Sequence, residues 1–205
     1  KQWRYFIPAN IIIAILFIIW DHIFVEIGVW GFRSDYLTGL FLTQNIPIEE
    51  GLFFFCIPYA CVFTYFVIRE YFPNINKLYK SRIITSFLII LSSILFIYNF
   101  EKMYTSYTFG LLSMALLFCL YRKININTIT ISFISILPFM VISNGLLTGM
   151  WIENEVVWYN DLENLGYRIF TIPIEDFFYG YLMILLNVLL YETFKNFNYS
   201  NFIKS

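Results

Sequence analysis

Four carboxylates stand in two copies of one short pattern. Asn45-Ile-Pro-Ile-Glu-Glu50 and Thr171-Ile-Pro-Ile-Glu-Asp176 are followed by aromatics, Phe53-Phe54-Phe55 and Phe177-Phe178-Tyr179 respectively. Proline is preferred in a first helical turn, where its missing N–H costs nothing, and acids there face the positive end of the helix dipole. Each motif therefore reads as a helix start carrying two acids. Capping alone would account for one such motif; two copies on related helices point to a shared site built from Glu49, Glu50, Glu175 and Asp176. Crowded together, such acids can hold one carboxyl protonated and another ionised, the division that acid and base work require. Consecutive helical residues point about 100° apart, so Glu49 and Glu50 cannot both aim at one point, and a pair with one acid from each copy is the expected working unit.

Asp21 and His22, the single histidine, stand near the end of an apolar run, with Glu26 further on. Asp21, at the depth of the motifs, reads either as a further acid of the same cluster or as a solvated interfacial acid. His22 either orients the acids or sits at the membrane interface beside Trp20. Asn144 occupies a comparable depth in a later run and is the candidate counterpart of Asp21. Most of the 24 Phe suit a lipid-facing role. Beside protonatable acids, however, the ring faces of Phe53, Phe54, Phe177, Phe178 and Tyr179 can stabilise a carbocation. An acid, a base, π-faces and a dry pocket are what an acid-initiated terpenoid cyclisation needs.

The elements that must position these groups follow from composition. The chain has 205 residues, 60% hydrophobic, 22% aromatic and 13% charged, with mean hydropathy +0.70, about half the usual share of charge for a soluble domain. It is read as an all-α polytopic membrane protein. Six runs, near 5–27, 46–68, 83–100, 104–121, 126–147 and 172–191, match the roughly 20 residues that cross a bilayer, and they lack the alternation of a transmembrane barrel. The first run has no small-residue cleavage pattern and is read as a span, not a secretory signal. With alternating directions, one side holds ten of the 13 basic residues, Lys1, Arg4, Arg69, Lys77, Lys80, Arg82, Arg122, Lys123, Lys195 and Lys204. Both termini are therefore expected in the cytoplasm and the acidic motifs at the outer face of the cell membrane. The motif copies lie about 126 residues apart, and Val29-Trp30 and Val157-Trp158 repeat upstream of them, as do Gly39 and Gly166. An offset of four helices is even, so the repeat is parallel and both motifs emerge at the same face.

Net charge −1 provides no basic field for nucleic acid. No GxGxxG or phosphate-binding loop is present. Cys56, Cys61 and Cys119 lack metal-ligand spacing and read as buried, reduced packing residues.

The Pro-Ile-Glu-Glu run, Asn144-Gly-Leu-Leu-Thr-Gly149, Val156-Val-Trp-Tyr-Asn160, and Thr171 to Gly180 running on to Glu192 resemble the integral-membrane lycopene cyclases, as do Trp20-Asp21 and Gly28-Val-Trp30. That family is built from two homologous units, separate or fused. The resemblance implies units at 1–100 and 101–205 and conversion of the ψ-ends of lycopene into rings. The enzyme type it implies is an intramolecular lyase or isomerase, with no redox change, cofactor or metal expected. It implies Glu49, Glu50, Glu175, Asp176 and Asp21 as catalytic candidates, with Glu49 or Glu175 the expected proton donor. Phe53, Phe54, Phe177, Phe178, Tyr179, Trp30, Trp158, Asn144 and His22 are candidates to line the substrate. The partners implied are a carotenoid, membrane lipid and, in an oligomer, a second copy. Competing readings are a metal-dependent prenyl transferase, which should show acids spaced across a helical turn and basic residues for phosphates, and a proton-coupled transporter, which should show acids at mid-membrane.

Overall fold

The computed structural model describes residues 2–75 and 81–204, the last seven in backbone only. Among these, six helices are long and apolar enough to cross a membrane: α1 (Trp3–Glu26), α2 (Ile48–Tyr71), α3 (Ser81–Tyr98), α4 (Met103–Tyr121), α5 (Asn127–Leu147) and α6 (Ile174–Lys204). At about 1.5 Å per residue, the 24 residues of α1 or α2 rise some 36 Å, enough for the hydrocarbon core. The chain is an all-α polytopic membrane protein. Of the basic residues counted for orientation, Lys1, Lys77 and Lys80 lie outside the described residues. Cys61 and Cys119 are buried as expected, but Cys56 is exposed.

α1, α2, α5 and α6 form a four-helix arrangement with an internal two-fold pattern. α1 packs on α6 as α5 packs on α2, and α1 on α2 as α5 on α6, while α2 and α6 touch each other. α3 and α4 form a hairpin whose α4 lies on α6. Pro58 lies inside α2 and lacks the N–H that would bond the Phe54 carbonyl, and at the next residue the Asn10 amide of α1 donates to the Phe55 carbonyl at 3.0 Å.

Short strands carry the same pattern outside the helices. β1 (Trp30–Phe32) pairs antiparallel with β2 (Val157–Tyr159). Trp30 faces Tyr159 and Gly31 faces Trp158, so each repeated tryptophan lies opposite the residue that follows the other. That register is what a two-fold axis between the strands produces. Gly31 is required there: a Cβ would lie 2.5 Å from the Trp158 ring. The loops leading into α2 and α6 also correspond. Ile48 N–H donates to the Leu40 carbonyl and Ile174 N–H to the Tyr167 carbonyl, both at 3.0 Å. Phe41 bridges to Pro47, while Arg168 pairs with Pro173 between β3 (Arg168–Ile169) and β4 (Ile172–Pro173).

Candidate active site

At one end of the bundle the C-terminal turns of α1 and α5 meet the N-terminal turns of α2 and α6. A cavity of about 270 Å³ lies there. Its polar end is formed by Asp21 (α1), Glu50 (α2) and Asp176 (α6), with Trp30, Tyr104, Asn144, Tyr159 and Tyr179. Ile57, Cys61, Phe133, Ile136, Met140, Met183 and Ile184 continue it inward between α2, α5 and α6 as an apolar channel. Phe139 lines it while remaining 71% exposed, so the channel borders the lipid-facing side of α5.

The three carboxyls differ in their partners. Asp176, 5% exposed, accepts hydrogen bonds on both oxygens, from the Tyr104 hydroxyl at 2.6 Å and the Tyr159 hydroxyl at 3.0 Å. Asp21 accepts one, from Trp30 Nε1 at 2.5 Å, and its Oδ2 is buried without a partner among the described residues. Glu50 accepts none among the described residues; Asp21 and Asp176 are the charges that act on it. Tyr159 lies outside the spans, and its phenol is pushed well above the ordinary range by burial first and by the charge of Asp176 next. It is a fixed donor.

The first acid of each motif points elsewhere. Glu49 Oε1 accepts from Thr38 N–H at 2.7 Å, and Glu175 Oε1 accepts from Leu165 N–H and from Thr105 Oγ1, each at 2.7 Å. Thr38 and Leu165 immediately precede Gly39 and Gly166, whose φ values of +82° and +76° suit glycine. Glu49 and Glu175 thus fasten corresponding loops to corresponding helix starts. The 100° step of the helix leaves Glu50 and Asp176 to face the cavity.

An aromatic cage adjoins the acids. The Tyr179 ring has Phe17 at 4.9 Å, Trp20 at 5.0 Å, Tyr104 at 6.2 Å, and Trp30 and Phe54 at 6.4 Å. Tyr104 and Tyr159 stack at 5.9 Å with their planes 14° apart. The cavity breaks the internal symmetry. In the motif alignment Phe54 corresponds to Gly180. Phe54 is 1% exposed and packs against Phe17 between α1, α2 and α6, whereas Gly180 leaves the corresponding space between α2, α5 and α6 open.

The family model described as lycopene cyclase matches residues 1–68 and 101–194. The chain belongs to the lycopene cyclase family. The match takes in α1, nearly all of α2, and α4 with α5 and most of α6; α3 lies between the matched segments. Neither the search of curated proteins nor that of solved structures returns a match. Membership makes this an enzyme of carotenoid biosynthesis acting on a carotenoid, and its six apolar helices make it an integral membrane protein.

Of the residues expected from sequence to serve this cyclase, Asp21, Glu50, Asp176, Phe53, Phe54, Tyr179, Trp30 and Asn144 line the cavity. Glu49 and Glu175 hold loops. His22 Nδ1 lies 3.1 Å from Thr43 Oγ1 and does not line the cavity, because consecutive residues of α1 diverge and Asp21 takes the inward direction. Trp158 lies over Gly31, and Phe178 packs on Phe109 at 4.8 Å; neither they nor Phe177 are among the lining residues. Tyr104, Tyr159 and Thr105 were missed. Tyr159 carries a trace of signal, as the residue after the repeated Val-Trp. Tyr104 opens α4, which has no copy of the motif, and only tertiary packing brings it to Asp176.

Proposed function

We propose that this cyclase closes the linear ψ-ends of lycopene by acid-initiated cyclisation, as an intramolecular lyase without net redox change. The observation that carries the reading is a single cavity joining three inward carboxyls, an aromatic cage and an apolar channel. A proton adds to the terminal double bond and leaves a tertiary cation. The electrons of the internal double bond form the ring C–C bond and move the cation into the ring, and loss of a neighbouring proton restores a double bond. One proton is gained and one lost, so product and substrate are isomers, and a β-ionone ring is the expected product.

Glu50 and Asp176 are the cross-repeat pair, with Asp21 the third acid. The geometry favours them over Glu49 and Glu175, whose carboxylates are engaged with the loops. Trp30, Tyr104 and Tyr179 offer ring faces to the cation. Ligand pockets usually measure roughly 300–1,000 Å³, so a cavity near the lower limit suits one end group, with the remaining polyene lying along the channel between α2 and α5. The site then faces the outer side of the cell membrane, both termini are cytoplasmic, and the chain comprises two homologous units, 1–100 and 101–205, whose shared motifs lie on α1–α2 and α5–α6.

Expression in a lycopene-accumulating bacterium tests the reading. Monocyclic or bicyclic carotene in the pigment extract is the expected result; unchanged lycopene beside folded protein in the membrane contradicts it.

A further inference from the structure

Resting on the acid-initiated reading, we propose that Tyr104 and Tyr159 are positioning residues that fix Asp176 as the proton acceptor and thereby decide which ring isomer forms. Among the described residues, Asp176 is the one cavity acid with a donor on each oxygen, at 2.6 Å and 3.0 Å. The donors come from different parts of the chain, α4 and β2, so the carboxylate is held in both position and rotation. Paired phenolic donors balance the charge of an ionised carboxyl. Asp21 is tied on one oxygen by Trp30, and Glu50, which receives no such bond among the described residues, is the carboxyl assigned the transferable proton.

Once the ring has closed, the cationic carbon has three kinds of neighbouring C–H: on the ring carbon just joined, on the ring methylene, and on the methyl substituent. Whichever C–H breaks gives its electron pair to the new double bond, which lies respectively between the ring carbons on the polyene side, between those on the far side, or outside the ring. The proton passes to Asp176 and is released to solvent, and Glu50 takes a proton from solvent to reset the site. All three losses relieve the same cation. Selection among them belongs to the place where the base is held, and that place is set by the two hydroxyls. The rings of Tyr104 and Tyr159 stack on each other and line the cavity independently of their hydroxyls, so replacement by Phe removes the donors and keeps the π-faces.

The test is to express Tyr104→Phe, Tyr159→Phe and the double variant beside the parent chain in lycopene-accumulating cells and to separate the ring isomers by chromatography. Loss of a hydrogen bond to a charged group is worth about tenfold in a competition of this kind. The minor isomers are expected to rise about tenfold relative to the main one in each single variant, and further in the double. Glu50→Gln serves as contrast, reducing the total without changing the ratio. A merely structural loss lowers yield and leaves the isomer ratio where it was. An unchanged ratio in variants that still cyclise overturns the proposal. So does complete loss of cyclisation in both single variants at parental protein level, since neither hydroxyl is the acid or the base. If the parent chain itself forms no ring, the functional reading fails, and the clamp fails with it.

Discussion

Glu175 and Asp176 are neighbours in the chain, yet Glu175 holds the loop at Leu165 while Asp176 faces the cavity; Glu49 and Glu50 divide in the same way at Thr38. The division predicts opposite responses to amide substitution. An amide oxygen still accepts a backbone N–H, so Glu49→Gln and Glu175→Gln should retain cyclisation within about tenfold of the parent, whereas Glu175→Leu strands the Leu165 N–H and the Thr105 hydroxyl at a cost of about 1–3 kcal/mol in stability. Glu50→Gln and Asp176→Asn keep the shape but cannot exchange a proton, and should lose about 10²–10⁴ in rate, the usual contribution of a general acid or base. Initial rates in membranes, normalised to protein level, check both halves; equal losses at all four positions would contradict the division. The sequence shows that two acids of a pair diverge by 100°, but not which of them turns inward. At the second motif that is settled by contacts remote in sequence, Tyr104 and Tyr159 on Asp176, and no local pattern announces them.

The correspondence between α1–α2 and α5–α6 reaches from helix packing to single hydrogen bonds, and it fails where the cavity lies. Phe54 fills one flank of the bundle and Gly180 vacates the other. A Cβ at Gly180 would meet Met140 Cε at 3.3 Å and Phe133 at 3.7 Å, which the end of a flexible methionine can accommodate. Gly180→Ala should therefore cost less than about tenfold in activity. Gly180→Phe fills the space as Phe54 does on the other flank and should abolish ring formation with the protein still inserted; pigment yield against membrane protein level reads both, and an active Gly180→Phe would place the substrate elsewhere. Sequence located five of the six spans and the start of the sixth to within a few residues, because runs of some 20 apolar residues are long signals; α6 runs on to Lys204, well past the expected end at 191. The strands β1 and β2, three residues each and paired across more than a hundred, are too short for periodicity to register. Exposure of Cys56 was illegible for a related reason, since lipid-facing and core-facing positions in a span are equally apolar.

The whole molecule is a small bundle that carries Asp21, Glu50 and Asp176 at one end and continues their cavity as an apolar channel. Such a layout lets a long polyene present one end to the acids while the rest stays in hydrocarbon. On the proposed reading, the cavity takes one ψ-end at a time, and a second ring requires the other end to be presented in turn. The resemblance in the motifs pointed to this chemistry, and the fold supports it by setting Glu50 and Asp176, one from each copy, across the same cavity. The most direct test of the central claim is cyclisation of lycopene by membranes containing this protein in deuterated water, with the product analysed by mass spectrometry. Acid initiation with solvent-exchanged carboxyls predicts one deuterium per ring formed, and a product of unchanged mass when the reaction runs in ordinary water. Rings formed in deuterated water without deuterium, or a product differing from lycopene in its hydrogen count, would contradict it.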